Sequence, residues 1–120
     1  MAHNPVIGIM SGTSLDGVDL VQSTFYQENQ QWRYEVQAAM TLPYTPYWEG
    51  RLKSLADLEG YEFTKLDIEY GVYLGELVNT FCKDYGLSPN IISSHGHTAF
   101  HNPREKMSVQ VGAGEGIWSV

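Results

Sequence analysis

The stretch from Gly8 to Asp19, Gly-Ile-Met-Ser-Gly-Thr-Ser-Leu-Asp-Gly-Val-Asp, constrains this chain more than any other segment. It places two glycines, hydroxyl side chains and two carboxylates in a bend between two apolar runs. Gly12 and Gly17 admit backbone angles and close approaches that other residues resist. Successive amides in such a bend form a concavity that suits an anion, and Thr13 and Ser14 add hydrogen-bond donors. Phosphate is the natural guest. An ordinary hairpin turn has the same composition, so the residues alone leave both readings open.

Gly12 and Gly17 have the glycine spacing of a P-loop, but Val18 and Asp19 stand where that motif requires Lys and Ser or Thr. With no lysine for the outer phosphates, and with Asp16 and Asp19 beside them, a polyphosphate would be repelled unless a divalent cation lay between. Mg²⁺ is the usual one. The expected site is therefore a metal-assisted nucleotide loop. Gly12, Thr13, Ser14, Leu15, Asp16, Gly17, Val18 and Asp19 are its candidate ATP and phosphate contacts. Asp16 is the candidate Mg²⁺ ligand, acting through water, with Asp19 behind it.

The flanks predict strands. Pro5 to Met10 is a short apolar run, and Val18 to Phe25 is rich in Val, Leu, Thr, Phe and Tyr. After the polar run Gln27–Gln31, the residues Tyr34, Val36, Ala38 and Met40 alternate with Arg33, Glu35, Gln37 and Ala39. That alternation predicts a half-buried third strand with Tyr34 to Met40 on one face. Short links predict an antiparallel meander, with the loop in its first hairpin and no helix N-terminus behind it, unlike a Rossmann unit.

The middle of the chain reads as helical and structural. Thr45-Pro46 is an N-cap and first-turn pair, opening a helix through Leu52, Leu55 and Leu58 that Gly60 would end. Thr64-x-x-Asp67 reads as a variant capping box, and Phe63, Leu66, Tyr70, Leu74, Leu77, Val78 and Phe81 recur at helical spacing. Gly86 supplies a left-handed stop. Gly71 and Gly75, inside this helix, point to close packing, with clearance for a ligand as the alternative.

Asn90 to Ser94 predicts a buried strand that ends at Ser94-His95-Gly96, and Met107, Val109 and Val111 predict another. His95, His97 and His101 partly mimic a metallo-hydrolase zinc motif, but Phe100 stands where an acidic residue is usual. A three-His zinc hydrolase is thus a rival reading, and a non-catalytic binding module is another.

The net charge of −7 argues against nucleic acid and anionic membrane surfaces as partners. At 120 residues, with 42% hydrophobic and 18% charged, the chain suits one soluble domain. It contains neither a run of the roughly 18 apolar residues that a membrane-spanning helix needs nor a signal-like start. The single Cys82 suits a reducing cytoplasm and, within an apolar pattern, reads as an inert thiol.

Three blocks together resemble one family. The Met10-Ser-Gly-Thr-Ser-Leu-Asp-Gly17 core resembles the N-terminal signature of anhydro-N-acetylmuramic acid kinases. Ser94 to Pro103 resembles a second family block, commonly Ser-His-Gly-Gln-Thr, with His97 here in place of the glutamine. Gln110-Val-Gly-Ala-Gly114 resembles the Gln-x-Gly-x-Gly segment that follows. The resemblance implies an α/β fold with a mixed sheet, a ribonuclease H-like or actin-like ATPase lobe whose N-terminal β-hairpin holds phosphate. It implies ATP-dependent 6-phosphorylation of 1,6-anhydro-N-acetylmuramic acid with opening of the anhydro ring, in recycling of cell-wall sugar. It places His95, Gly96 and Thr98 in the substrate cleft, and implies a cytoplasmic dimer. The family's base is an Asp in an Asp-x-Gly-Pro-Gly-Asn motif that these 120 residues do not contain. The resemblance therefore implies no catalytic residue within the chain and a base beyond Val120. Residues 1–120 are expected to be a single, incomplete N-terminal lobe, inactive alone, with the adenine pocket also lying elsewhere.

Overall fold

The computed structural model describes residues 4–11 and 16–118, with only the main chain of Trp118. Val120, beyond which the resemblance puts the family's base, lies outside the described residues. Strands β1 (Asn4–Met10), β2 (Gly17–Glu28) and β3 (Gln31–Pro43) form the expected antiparallel meander. Asn29 and Gln30, both at positive φ, make the second turn. Helix α1 (Pro46–Lys53) follows, then a 3₁₀ turn at 55–57, then the long helix α2 (Gly60–Tyr85). Strand β4 (Ile91–Ser94) joins the sheet parallel to β1, giving the order β3-β2-β1-β4. Strands β5 (His97–Asn102) and β6 (Met107–Val111) form a separate antiparallel hairpin, followed by the short helix α3 (Gly114–Trp118).

The inner sheet face is built by period-two burial. Ile7, Ile9, Val18 and Leu20 are buried with Leu66, Tyr70, Leu74, Val78 and Phe81, which line one stripe of α2. The Thr45 side chain caps α1 by accepting from the Trp48 amide, and Trp48 and Leu52 fill the core beside α2. Gly86 closes α2 in the left-handed conformation at φ 65°.

The third strand departs from simple alternation. Between Gln22 and Ser23 the β2–β3 register shifts, so that Gln22 faces Ala38 while Ser23 faces Val36, and Gln37 is the extra residue. A bulge of one residue reverses the faces beyond it. Ala38 stays buried at 8% exposure, whereas Tyr34 and Val36 turn outward at 68% and 51%. The expectation that Tyr34 to Met40 share one face is corrected by this bulge. Tyr34 packs instead against Phe25 on the outer face, with ring centroids 6.2 Å apart.

Three further expectations change. Gly60 opens α2 instead of ending a helix, because the chain breaks into a 3₁₀ turn at 55–57 first. Thr64 lies inside α2 and its hydroxyl donates back to the Gly60 carbonyl at 2.8 Å, so it caps nothing. β4 forms an edge among the described strands, with Ile91 exposed and Ile92 half-buried, and is not a buried strand.

Gly71 has a packing reason. A Cβ there would run into the main chain of Ala113, and one on Gly116 would strike α2 at Ile68 and Val72. The turn before α3 thus lies directly on α2. Asp67, the other half of the supposed capping box, accepts from the Gly112 amide at 2.6 Å and holds this turn in place. Among the described residues no helix is long and apolar enough to cross a membrane.

Candidate functional site

Gly12, Thr13, Ser14 and Leu15 lie outside the described residues, so the candidate site is read from the two ends of their segment. Ser11 follows β1 directly and is buried at 4% exposure. Asp16 precedes β2 and its carbonyl accepts from the Tyr44 amide at 3.4 Å. Gly17 is required by close approach: its missing Cβ leaves room for the main chain of Leu42 and Pro43 on β3. Its φ is not among the positive ones, so the freedom of angle expected from the sequence is not what selects glycine here. The Val18 side chain is fully buried in the core, leaving only its main chain to offer a ligand.

Asp19 sits on the outer face, opposite Met10, and its Oδ1 accepts from the Thr41 hydroxyl at 2.5 Å. A depression of about 480 Å³ gathers Asp19 with Gly8, Met10, Ser94 and His95. His95 continues the β1–β4 pairing through its amide, which donates to the Ile9 carbonyl at 3.2 Å. The first and second sequence blocks therefore meet at the same end of adjacent strands. Gly96, at φ 77°, lies against the Val111 carbonyl, where a side chain would not fit. Thr98 pairs with Gln110 in the separate hairpin and is not among the described residues lining the depression. A second cavity of about 250 Å³ lies between Ser94 and Ile92 of β4 and Gly112, Gly114 and Ile117, which brings the third sequence block beside the second.

Beneath the start of the loop is a polar and aromatic cluster that the sequence did not disclose. The Tyr44 and Tyr70 hydroxyls share a hydrogen bond at 2.5 Å. The Tyr73 ring stacks on Tyr70, and the tilted Trp48 ring lies 5.3 Å from Tyr70 and 4.9 Å from Tyr73. Burial pushes the Tyr44 and Tyr70 hydroxyls above the usual phenol range; Ser11 beside them acts in the opposite direction. His97, at 3% exposure, presents its ring edge-on to both tyrosines. Burial lowers its pKa, while the Ser11 main chain raises it. Among the described residues, Ser11 Oγ and His97 Nδ1 are both buried without a hydrogen-bond partner in good geometry. The only sequence signal for this cluster was the helical position of Tyr70 and the substitution at His97.

The histidines are not gathered as a zinc site would need. His97 is buried and His101 exposed on the same strand, with a bulge between Thr98 and Phe100. Among the described residues no group of three His, Cys, Asp or Glu side chains could hold a metal ion. The half-buried Cys82 thiol is pushed up in pKa by burial, which suits an inert thiol.

These elements form a mixed α/β fold in which the described parts of the three sequence blocks lie around one end of β1 and β4. The family model for anhydro-N-acetylmuramic acid kinase matches residues 4–118, and the chain belongs to that family. Over 120 aligned residues it is 32% identical to an anhydro-N-acetylmuramic acid kinase of Brucella canis, covering 90% of this chain and 31% of that protein. It is 34% identical to one from Hydrogenovibrio crunogenus, covering 88% and 30%, and 31% identical to one from Acinetobacter baylyi, covering 88% and 28%. The chain thus spans about a third of the length of these relatives.

Proposed function

We propose that this chain supplies the phosphate-gripping lobe of an ATP-dependent kinase acting on 1,6-anhydro-N-acetylmuramic acid. In that reading the fold is the first part of an actin-like ATPase lobe. The observation that carries it is the meeting of Asp19, from the hairpin that contains the glycine loop, with His95 of the second family block in one depression.

The main-chain amides from Gly12 to Gly17, with the Thr13 and Ser14 hydroxyls, would bind the β and γ phosphates. Asp16 and Asp19 offer the hard oxygen donors that Mg²⁺ takes, and Asp16 would hold it through water. Bound Mg²⁺ would offset the charge of the transferring phosphoryl group. Asp19, oriented by Thr41, would hold its carboxylate toward that site. His95 and Gly96 would flank the sugar or the bridging phosphate, and a neutral imidazole can both donate and accept there. Thr98 is not among the described residues lining the depression and would act through the β5–β6 hairpin. Phosphoryl transfer depends mostly on positioning and charge stabilisation, so a lobe without a nucleophile fits this part of the reaction.

The relatives' length and the missing Asp-x-Gly-Pro-Gly-Asn motif support a division of labour. The catalytic base, the adenine pocket and the second wall of the cleft would come from outside these 120 residues, the base from a segment beyond Val120. A cytoplasmic location, which the single Cys82 also suits, and dimerisation, which rests on the family resemblance, belong to the same proposal. The test is phosphoryl transfer from ATP to the anhydro-sugar, assayed with the 120-residue chain alone and with a full-length family member carrying these residues as its N-terminal third. Turnover is expected only in the second. Its absence there would reject the substrate assignment, and turnover by the chain alone would reject the division of labour.

A further inference from the structure

The buried cluster under Ser11 joins parts of the chain that are remote in sequence. Ser11 follows β1, Tyr44 follows β3, Tyr70 lies mid-way along α2, and His97 opens β5. His97 holds a central place in it. Its ring lies 6.5 Å from Tyr44 and 6.3 Å from Tyr70, both edge-on, and the Ser11 main chain lies against it. Its strand partner is Val111, the buried end of β6. The side chain at position 97 therefore touches the last described residue before the glycine loop and carries that contact into the second sheet.

We infer that His97 is a positioning residue that fixes the loop's entry at Ser11, and that the imidazole makes this anchor sensitive to protonation where a glutamine would not. The inference rests on reading the loop as the phosphate grip, but its test needs no nucleotide. The physical reason is the unmet Nδ1. A neutral imidazole can leave one nitrogen as an unprotonated lone pair at modest cost. An imidazolium would place a charge and a second donor in a pocket whose described residues offer Nδ1 no acceptor in good geometry. Burial outweighs the Ser11 main chain, which by itself favours the charged ring, so protonation would drive the ring toward water and disturb its contact with Ser11.

The titratable groups facing His97 are the Tyr44 and Tyr70 hydroxyls, which burial keeps protonated through the acid and neutral range. The 3₁₀ turn packed against β5 carries Asp57, which is exposed, and His95 lies two residues upstream with its Nδ1 3.2 Å from the Gly96 carbonyl. A glutamine at 97 would keep a donor and an acceptor in the same place with no charge to gain.

The experiment is a pH titration of the isotope-labelled 120-residue chain by NMR, following the His97 ring nitrogens and the Ser11 and Gly12 amides together. The expected result is one shared midpoint, below the ordinary histidine value of about 6.5, for the ring and both amides. In His97→Gln the amide step should vanish, with both amides held near their high-pH positions. Amides that do not move with the His97 ring, or that still titrate in His97→Gln, overturn the inference. Should His97→Gln not fold, His95→Gln and His101→Gln decide the matter: the amide step must persist in both, and its loss in either assigns the effect elsewhere and rejects the role of His97.

Discussion

The hydroxyls of Tyr44 and Tyr70 meet at 2.5 Å beneath the start of the glycine loop, joining the segment after β3 to the middle of α2. Tyr44 also reaches the other end of the loop, since its amide donates to the Asp16 carbonyl. One residue thus braces both flanks of the proposed phosphate grip. Removing either hydroxyl leaves its partner buried and unpaired, which costs about 1–3 kcal/mol. Tyr70→Phe and Tyr44→Phe should each lower unfolding stability by that amount in urea titrations, and the double variant should lose less than the sum.

The same pair sets an alkaline limit. Burial raises both phenol pKa values in the folded chain, whereas an unfolded tyrosine ionises near pH 10. The unfolded state therefore releases protons first, and the stability contributed by the neutral pair is intact below pH 10 and falls as pH rises beyond it. Chemical unfolding followed between pH 8 and 11 should show this decline, and Tyr70→Phe should flatten it.

His97 has the opposite dependence. Its lowered pKa means that the unfolded chain takes up the proton first, so its contribution is intact above about pH 6.5 and is lost as pH falls below it. Stability measured from pH 7.5 to 5 should fall in the wild-type chain more steeply than in His97→Gln.

Glycines separate cleanly by environment. A Cβ at Gly50, on the exposed side of α1, meets nothing within 4 Å, so Gly50→Ala should stabilise by up to about 1 kcal/mol. At Gly71 a Cβ would press on the Ala113 main chain, and Gly71→Ala should destabilise by about 1–3 kcal/mol by displacing the turn that Asp67 holds. Thermal melts of the two variants should shift in opposite directions.

The meander, α2 and its buried stripe were legible because each rests on local periodicity: Ile7 and Ile9 inward on β1, and Leu66 to Phe81 along one side of a helix. The reversal at Tyr34 and Val36 was not legible, since a bulge depends on pairing with β2 at Gln22 and Ser23. Gly60 misled because glycine opens and closes helices alike, and the choice depended on the 3₁₀ turn before it. Asp67 misled because its partner, the Gly112 amide, lies 45 residues away. In the candidate site, the glycine loop and His95 were readable as motifs. The Tyr44–Tyr70–His97 cluster was not, because its members come from three remote segments and only the fold unites them.

The most direct measurement is an NMR titration of the labelled chain with a non-hydrolysable ATP analogue, with and without Mg²⁺, in wild type and in Asp16→Asn. Amides from Gly12 to Gly17 are expected to shift with Mg²⁺ present, weakly or not at all without it, and with reduced affinity in Asp16→Asn. Shifts confined to other parts of the chain, or loop shifts indifferent to both Mg²⁺ and Asp16, would contradict a metal-assisted phosphate grip in the first hairpin.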